Sequence, residues 1–212
     1  MEKKKNNTNI EIRQAVTECR ALESEEGVRS IEGYALLYNH ESRLISTFWD
    51  GEFYETIERG ALDNVLESKS LDVIYTPNHD YSKVIARTTS GTLELKSDDK
   101  GLKYIVRDIP NISYANDIYE SIKRGDTFES SFSFMLKDSG QNWSKKEDGA
   151  DLRTISEISY LKEVSSVTDG AYSNTDVAVR SLQASDLFEL DEDYKIDLEL
   201  KQKEIEILKL KR

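Results

Sequence analysis

The chain has 212 residues, 37% of them hydrophobic and 33% charged, with a formal net charge of −12. That length is enough for one domain with a real core, alone or with a tail, and the acidic balance argues against a protein built to coat nucleic acid. No apolar run approaches the roughly 18–20 residues needed to span a bilayer.

Taken in order, MEKKKNNTN at 1–9 is basic, with no apolar stretch after it, and reads as a disordered start rather than a secretory signal. Residues 8–22 alternate in part through Ile10, Ile12 and Val16, ESEEG at 23–27 is a turn, and VRSIEGYALLYN at 28–39 is a second strand. Together they predict an opening hairpin, with Gly33 marking a bulge or bend. Residues 48–58 predict a short strand or extended turn, and RGALDNVLES at 59–68 a short helix. SLDVIYTPNHD at 70–80 is an apolar strand that stops at Pro77. Short strands follow at 83–89 and 91–96, with a return strand at 102–109. NISYANDIYESIKRG is a helix after Pro110, with Ser113 as N-cap and Gly125 as its stop. A strand is expected at 127–136, a polar loop at 141–151, one or two strands in 152–168 and a last one at 175–182. Many short strands with few helices predict a mainly β (α+β) fold, a sandwich or closed barrel.

From Asp186 the chain has no Gly or Pro and is dominated by charge, acidic first and basic last, which suits a helix dipole. It predicts a C-terminal helical tail, either a solvated helix or a docking or oligomerisation arm. The domain reading is 1–9 disordered N-terminus, 10–182 barrel and 183–212 charged helical tail.

Chemistry has few carriers here. Cys19 is the lone cysteine, which excludes a disulfide framework and a cysteine-based zinc site and fits a reducing compartment. There is no GxSxG, P-loop, HExxH or DxDxDG pattern, and no cofactor or metal is expected. The run GDTFESSFSFML at 125–136 sets three serines among three phenylalanines. Alternation puts Phe128, Ser130, Phe132, Phe134 and Leu136 on the core face. Ser131 and Ser133 then point the other way, away from the apolar layer, which suits a nucleophile better than the core position of Ser130. A serine hydroxyl needs a base, and histidine is the usual one. The only histidines are His40, in a polar turn, and His79, just past Pro77 at a strand end. Among 41 acidic residues composition selects no third member, although Glu163 is unusual in standing inside a late strand beside Leu161, Val164 and Val167. An exposed place on a strand edge is its plainer reading.

Six segments, in order, resemble a known family. They are IEGYALLYN, FYETIERGALDNVL, VIYTPNHD, IARTTSGTLELKSDDKGLKYIV, ESSFSF and LKEVSSVTDGAY. The chain resembles the prohead (capsid-maturation) serine proteases of tailed bacteriophages, Hong Kong 97 type. The resemblance implies a serine endopeptidase with a closed β-barrel like that of the herpesvirus assembly proteases. It would act inside the immature capsid in the bacterial host cytoplasm. Its partners would be the major capsid protein precursor or a scaffold protein, which it cuts along with itself; no nucleic acid or membrane is implied, and helices could pair it into a homo-oligomer. By position, the resemblance assigns the nucleophile to Ser131, the base to His79 and the acidic partner to Glu163. Where the family often has MSFGF this chain has SSFSF, so Ser133 stands for a glycine. The usual Gly-Arg reads Ala86-Arg87, and the usual Pro-Ala reads Gly170-Ala171. A non-catalytic assembly protein and a β-barrel binding domain are the competing readings.

Overall fold

The computed structural model describes residues 10–47 and 50–168. The strands are β1 Glu11–Glu23, β2 Arg29–Leu37, β3 Ile45–Thr47, β4 Gly51–Ile57, β5 Ile74–Pro77, β6 Ala86–Arg87, β7 Leu93–Ser97, β8 Gly101–Val106, β9 Glu129–Leu136, β10 Gln141–Lys145, β11 Asp151–Ile155 and β12 Ile158–Val167. The helices are α1 Asp63–Leu66 and α2 Ser113–Arg124. Eight strands form one sheet in the order β6-β5-β12-β9-β1-β2-β8-β7. Its two edge strands are consecutive in the chain. The turn between them holds them together, with Arg87 N–H donating to Thr92 Oγ1 at 3.0 Å and Arg107 N–H to the Thr92 carbonyl at 2.8 Å. The sheet is therefore a nearly closed barrel, which protects most of its polar edges.

The opening hairpin forms as expected, pairing Cys19 with Gly33 and Glu23 with Arg29. The register of β2 against β8 shifts between Tyr34 and Leu36, just past Gly33. Gly33 also has a packing reason: a Cβ there would meet Tyr104 Oη at 2.6 Å. The barrel interior is filled by Tyr75, Tyr104, Phe132, Phe134, Ile31, Leu36 and Leu102, all nearly or fully buried. The two buried tyrosine hydroxyls each find a serine. Tyr104 Oη and Ser130 Oγ are 3.0 Å apart, and Tyr75 O–H donates to Ser166 Oγ at 2.7 Å. A buried phenol needs such a partner, which accounts for the first of the three serines.

A second sheet, in the order β10-β11-β4-β3, is joined to the barrel by buried ions. Arg13 Nε on β1 donates to Glu55 Oε1 on β4 at 2.7 Å, and its Nη2 donates to Glu11 Oε2 at 2.6 Å. Arg153 on β11 donates to both Glu11 oxygens at 2.6 and 2.8 Å and to Glu55 Oε2 at 3.1 Å. Two positive and two negative charges thus cancel in the interior, which is the condition for burying any of them. Glu11 is pushed up by burial, but the hydrogen bond from Arg153 and the charges of both arginines outweigh it and hold the carboxyl below its ordinary value.

Four expectations need correction. Phe128 is 40% exposed, not core. It precedes β9, and its carbonyl accepts from Cys19 N–H where the β1–β9 register shifts, so strand alternation does not reach it. The N-cap of α2 is Ile112, and Ser113 is the first helical residue, with no side-chain cap; Gly125 does end the helix, at φ 81°. Residues 141–145 are a strand, not a loop, because they pair with β11 and Trp143 sets its ring edge-on to Phe53 at 4.9 Å. The 59–68 helix shrinks to the single turn 63–66, since Gly60, at φ 93°, precedes it in a left-handed turn. The strand expected at 175–182 and the helical tail lie outside the described residues.

Candidate active site

The barrel order places β12 between β5 and β9. On its outer face two cross-strand rows run side by side. In one, Ser165 of β12 stands opposite Ser131 of β9 and Thr76 of β5. In the next, Glu163 stands opposite Ser133 and Ile74. Partners across a ladder share a face, so Ser131, Ser133, Thr76, Ser165 and Glu163 make one polar floor. Ser131, Ser133, Thr76, Ser165 and Glu163 are all at 0% exposure.

His79 reaches over this floor because of the turn after β5. Pro77 ends the strand, then Asn78 and His79 both take left-handed conformations, at φ 50° and 59°. Such angles are uncommon outside glycine, with Asn and His among the residues that tolerate them best. Asn78 is tied down: its N–H donates to the Ser166 carbonyl at 2.9 Å, and its Oδ1 accepts from Thr168 N–H at 3.0 Å. The turn folds the imidazole back onto the sheet. The small hydroxyl residues beneath leave it room, with Ser165 Oγ 3.4 Å from His79 Nδ1.

There the ring joins two residues from different strands. His79 Nε2 is 2.8 Å from Ser131 Oγ, and His79 Nδ1 is hydrogen-bonded to Glu163 Oε1. Glu163 also accepts from Ser133 Oγ at 2.6 Å and from Thr76 Oγ1 at 2.8 Å. Burial pushes the Glu163 carboxyl up, but the hydrogen bond and charge of His79, with the Ser133 and Thr76 hydroxyls, hold it below the ordinary carboxylate value. It is therefore an anion at neutral pH and can only accept. In the neutral imidazole the ring proton is then on Nδ1, and the Nε2 lone pair faces the serine hydroxyl. Ser131 Oγ also lies 2.9 Å from the Arg13 carbonyl, so its single proton has two acceptors.

Sequence reading named Ser131, His79 and Glu163, and the fold brings all three together. His40 is exposed in a turn and takes no part. The plainer reading of Glu163, an exposed strand-edge acid, is overturned, since β12 is paired on both sides. Thr76, Ser165 and the bond from Ser133 to Glu163 were missed. A signal did exist, in the alternate serines of β9, but only the strand order shows that Thr76 and Ser165 share their floor. Among the described residues no group of side chains is arranged to hold a metal ion, and no helix is long and apolar enough to cross a membrane.

A hydroxyl, an imidazole acceptor and a buried carboxylate in line make up the machinery of a serine hydrolase. A sequence model of the caudovirus prohead serine protease family matches residues 16–188, and the chain belongs to that family. No curated protein and no solved structure matches it. The match spans the polar floor, and membership carries with it a serine peptidase of capsid maturation, at work in the immature capsid in association with the capsid precursor.

Proposed function

We propose that this chain is a prohead maturation endopeptidase of the Hong Kong 97 type, with Ser131 as nucleophile, His79 as general base and acid, and Glu163 as the group that orients His79. The observation that carries the reading is the line Ser131–His79–Glu163, drawn from two paired strands and the turn after β5, far apart in sequence. Its substrates are a scaffold protein or the scaffolding segment of the capsid precursor, and the chain itself. The reading includes a barrel akin to that of the herpesvirus assembly proteases, and a body reaching to about residue 182 followed by a helical arm at 183–212 that docks or pairs.

In this mechanism Ser131 Oγ forms a bond to the scissile carbonyl carbon as its proton passes to His79 Nε2. The C–N bond then breaks, and Nε2 gives that proton to the departing amine. Water attacks the acyl ester with its proton taken by Nε2, the bond from the acyl carbon to Ser131 Oγ breaks, and the proton returns to Oγ. Glu163 stays ionised throughout and stabilises the imidazolium that forms twice. Ser131 is fully buried, whereas the His79 side chain is 20% exposed, so substrate approaches over the imidazole and displaces the cover on Oγ.

The test is co-expression with the cognate capsid precursor, read by intact mass. Defined fragments with wild type that vanish with Ser131→Ala support the proposal. Identical uncut masses, with shells assembled, would replace it with a non-catalytic assembly role.

A further inference from the structure

Ser133 remains unused by that mechanism. It is a fully buried hydroxyl on the outer face of β9, two residues along from Ser131, with Glu163 and the Tyr81 hydroxyl as its bonded neighbours. Ser133 Oγ donates to Glu163 Oε1 at 2.6 Å, the same oxygen that His79 Nδ1 contacts. Thr76 Oγ1 donates to the other oxygen, Oε2, at 2.8 Å, and lies 3.1 Å from Ser165 Oγ. Two hydroxyls on the two flanking strands thus hold the carboxylate from either side. A glutamate has three side-chain torsions, and burial alone does not choose among them. Opposed donors on both oxygens fix the plane of the carboxylate, and so fix Oε1 against Nδ1.

We infer that Ser133 is a positioning residue for the proteolytic reaction: it holds Glu163 in the orientation and charge state that keep His79 aimed at Ser131. The inference rests on the protease reading above and deepens it. It also answers why the strand needs a third hydroxyl when only one can be the nucleophile. The donor has an electronic effect as well as a geometric one. A carboxylate with one donor fewer binds a proton more tightly. The charged and titratable groups facing Glu163 are His79 and Tyr81 from the turn after β5, and Lys162 beside it on β12. β5 and β9 present Thr76 and Ser133 there, neither of which titrates.

The experiment mixes the purified full chain with its purified capsid precursor and follows cleavage by intact mass across pH, at several precursor concentrations. Wild type, Ser131→Ala, Ser133→Ala, Ser133→Thr and Thr76→Val are compared, each scaled to its folded fraction by circular dichroism. Ser133→Ala is expected to lower kcat about tenfold, the worth of one hydrogen bond to a charged group, with KM unchanged. Its acidic limb moves to higher pH. Ser133→Thr, which keeps the hydroxyl, moves both back towards wild type. Thr76→Val gives a smaller shift of the same sign, because it frees only the oxygen away from His79, and it serves as the reading if Ser133→Ala does not fold. A Ser133→Ala profile that superimposes on wild type, or that falls in height with its acidic limb unmoved, overturns the inference and leaves the protease reading standing. A wild type that cuts no more than Ser131→Ala removes both.

Discussion

Ser165 on β12 stands directly across the ladder from Ser131 on β9, and its Oγ lies 3.4 Å from His79 Nδ1. The imidazole rests on a floor kept low by a serine at this position. Ser165→Val adds bulk to a fully buried site and lifts the ring from the sheet. Overpacking of this kind costs about 1–3 kcal/mol. The expected outcome is a folded barrel, by circular dichroism, whose cleavage of the capsid precursor falls at least as far as that of Ser133→Ala.

Glu163→Gln replaces an acceptor-only carboxylate by an amide that can present N–H to Nδ1. The neutral ring then turns its proton towards Ser131, and the base is lost. Wrong-tautomer changes of this type lower turnover by about 10⁴-fold. Cleavage rates of the variant and wild type, compared at neutral pH, check this, and an undiminished rate removes Glu163 from the machinery.

Acid should destabilise the fold through Glu11 and Glu163. Both carboxyls lie below their ordinary value of 4.5 in the folded chain. A depressed carboxyl contributes stability that is fully present above the unfolded value and is lost as pH falls through the folded one. Stability in urea should therefore hold from neutral pH down to about 4.5 and decline below it. Glu11→Gln should flatten that decline while lowering stability at pH 7.

Arg153→Met leaves Glu11 and Glu55 with Arg13 as their remaining cation in this buried cluster. Removing one member of such a set costs about 3–5 kcal/mol. Urea midpoints should show a loss in that range, far above that of a surface pair such as Lys145–Asp151.

Gly33→Ala brings a Cβ to 2.6 Å from Tyr104 Oη and 3.0 Å from Ser130 Oγ. Both are buried, so the strand, the ring or the serine must shift. A loss of about 1–3 kcal/mol is expected, measured by thermal or urea unfolding. Because Ser130 precedes Ser131 on β9, the cleavage rate should fall as well.

Local patterns in the sequence settled the mainly β character, the opening hairpin, the end of α2 at Gly125 and the opposite facing of Ser130 and its neighbours Ser131 and Ser133. All of these rest on local rules: strand alternation, turn residues and the conformational freedom of glycine. A serine and a histidine 52 positions apart carry no local sign that they meet, and Glu163 reads locally as an exposed acid. Only the strand order β5-β12-β9 turns that acid inward between two partners, sets Ser133 and Thr76 on its two oxygens, and lays His79 across the row. The same holds for Arg13 and Arg153, ordinary surface residues by type, which the second sheet buries against Glu11 and Glu55. Pairing between distant strands is a property of the closed barrel as a whole, whereas alternation and turns are properties of each segment, and the site is made of the former.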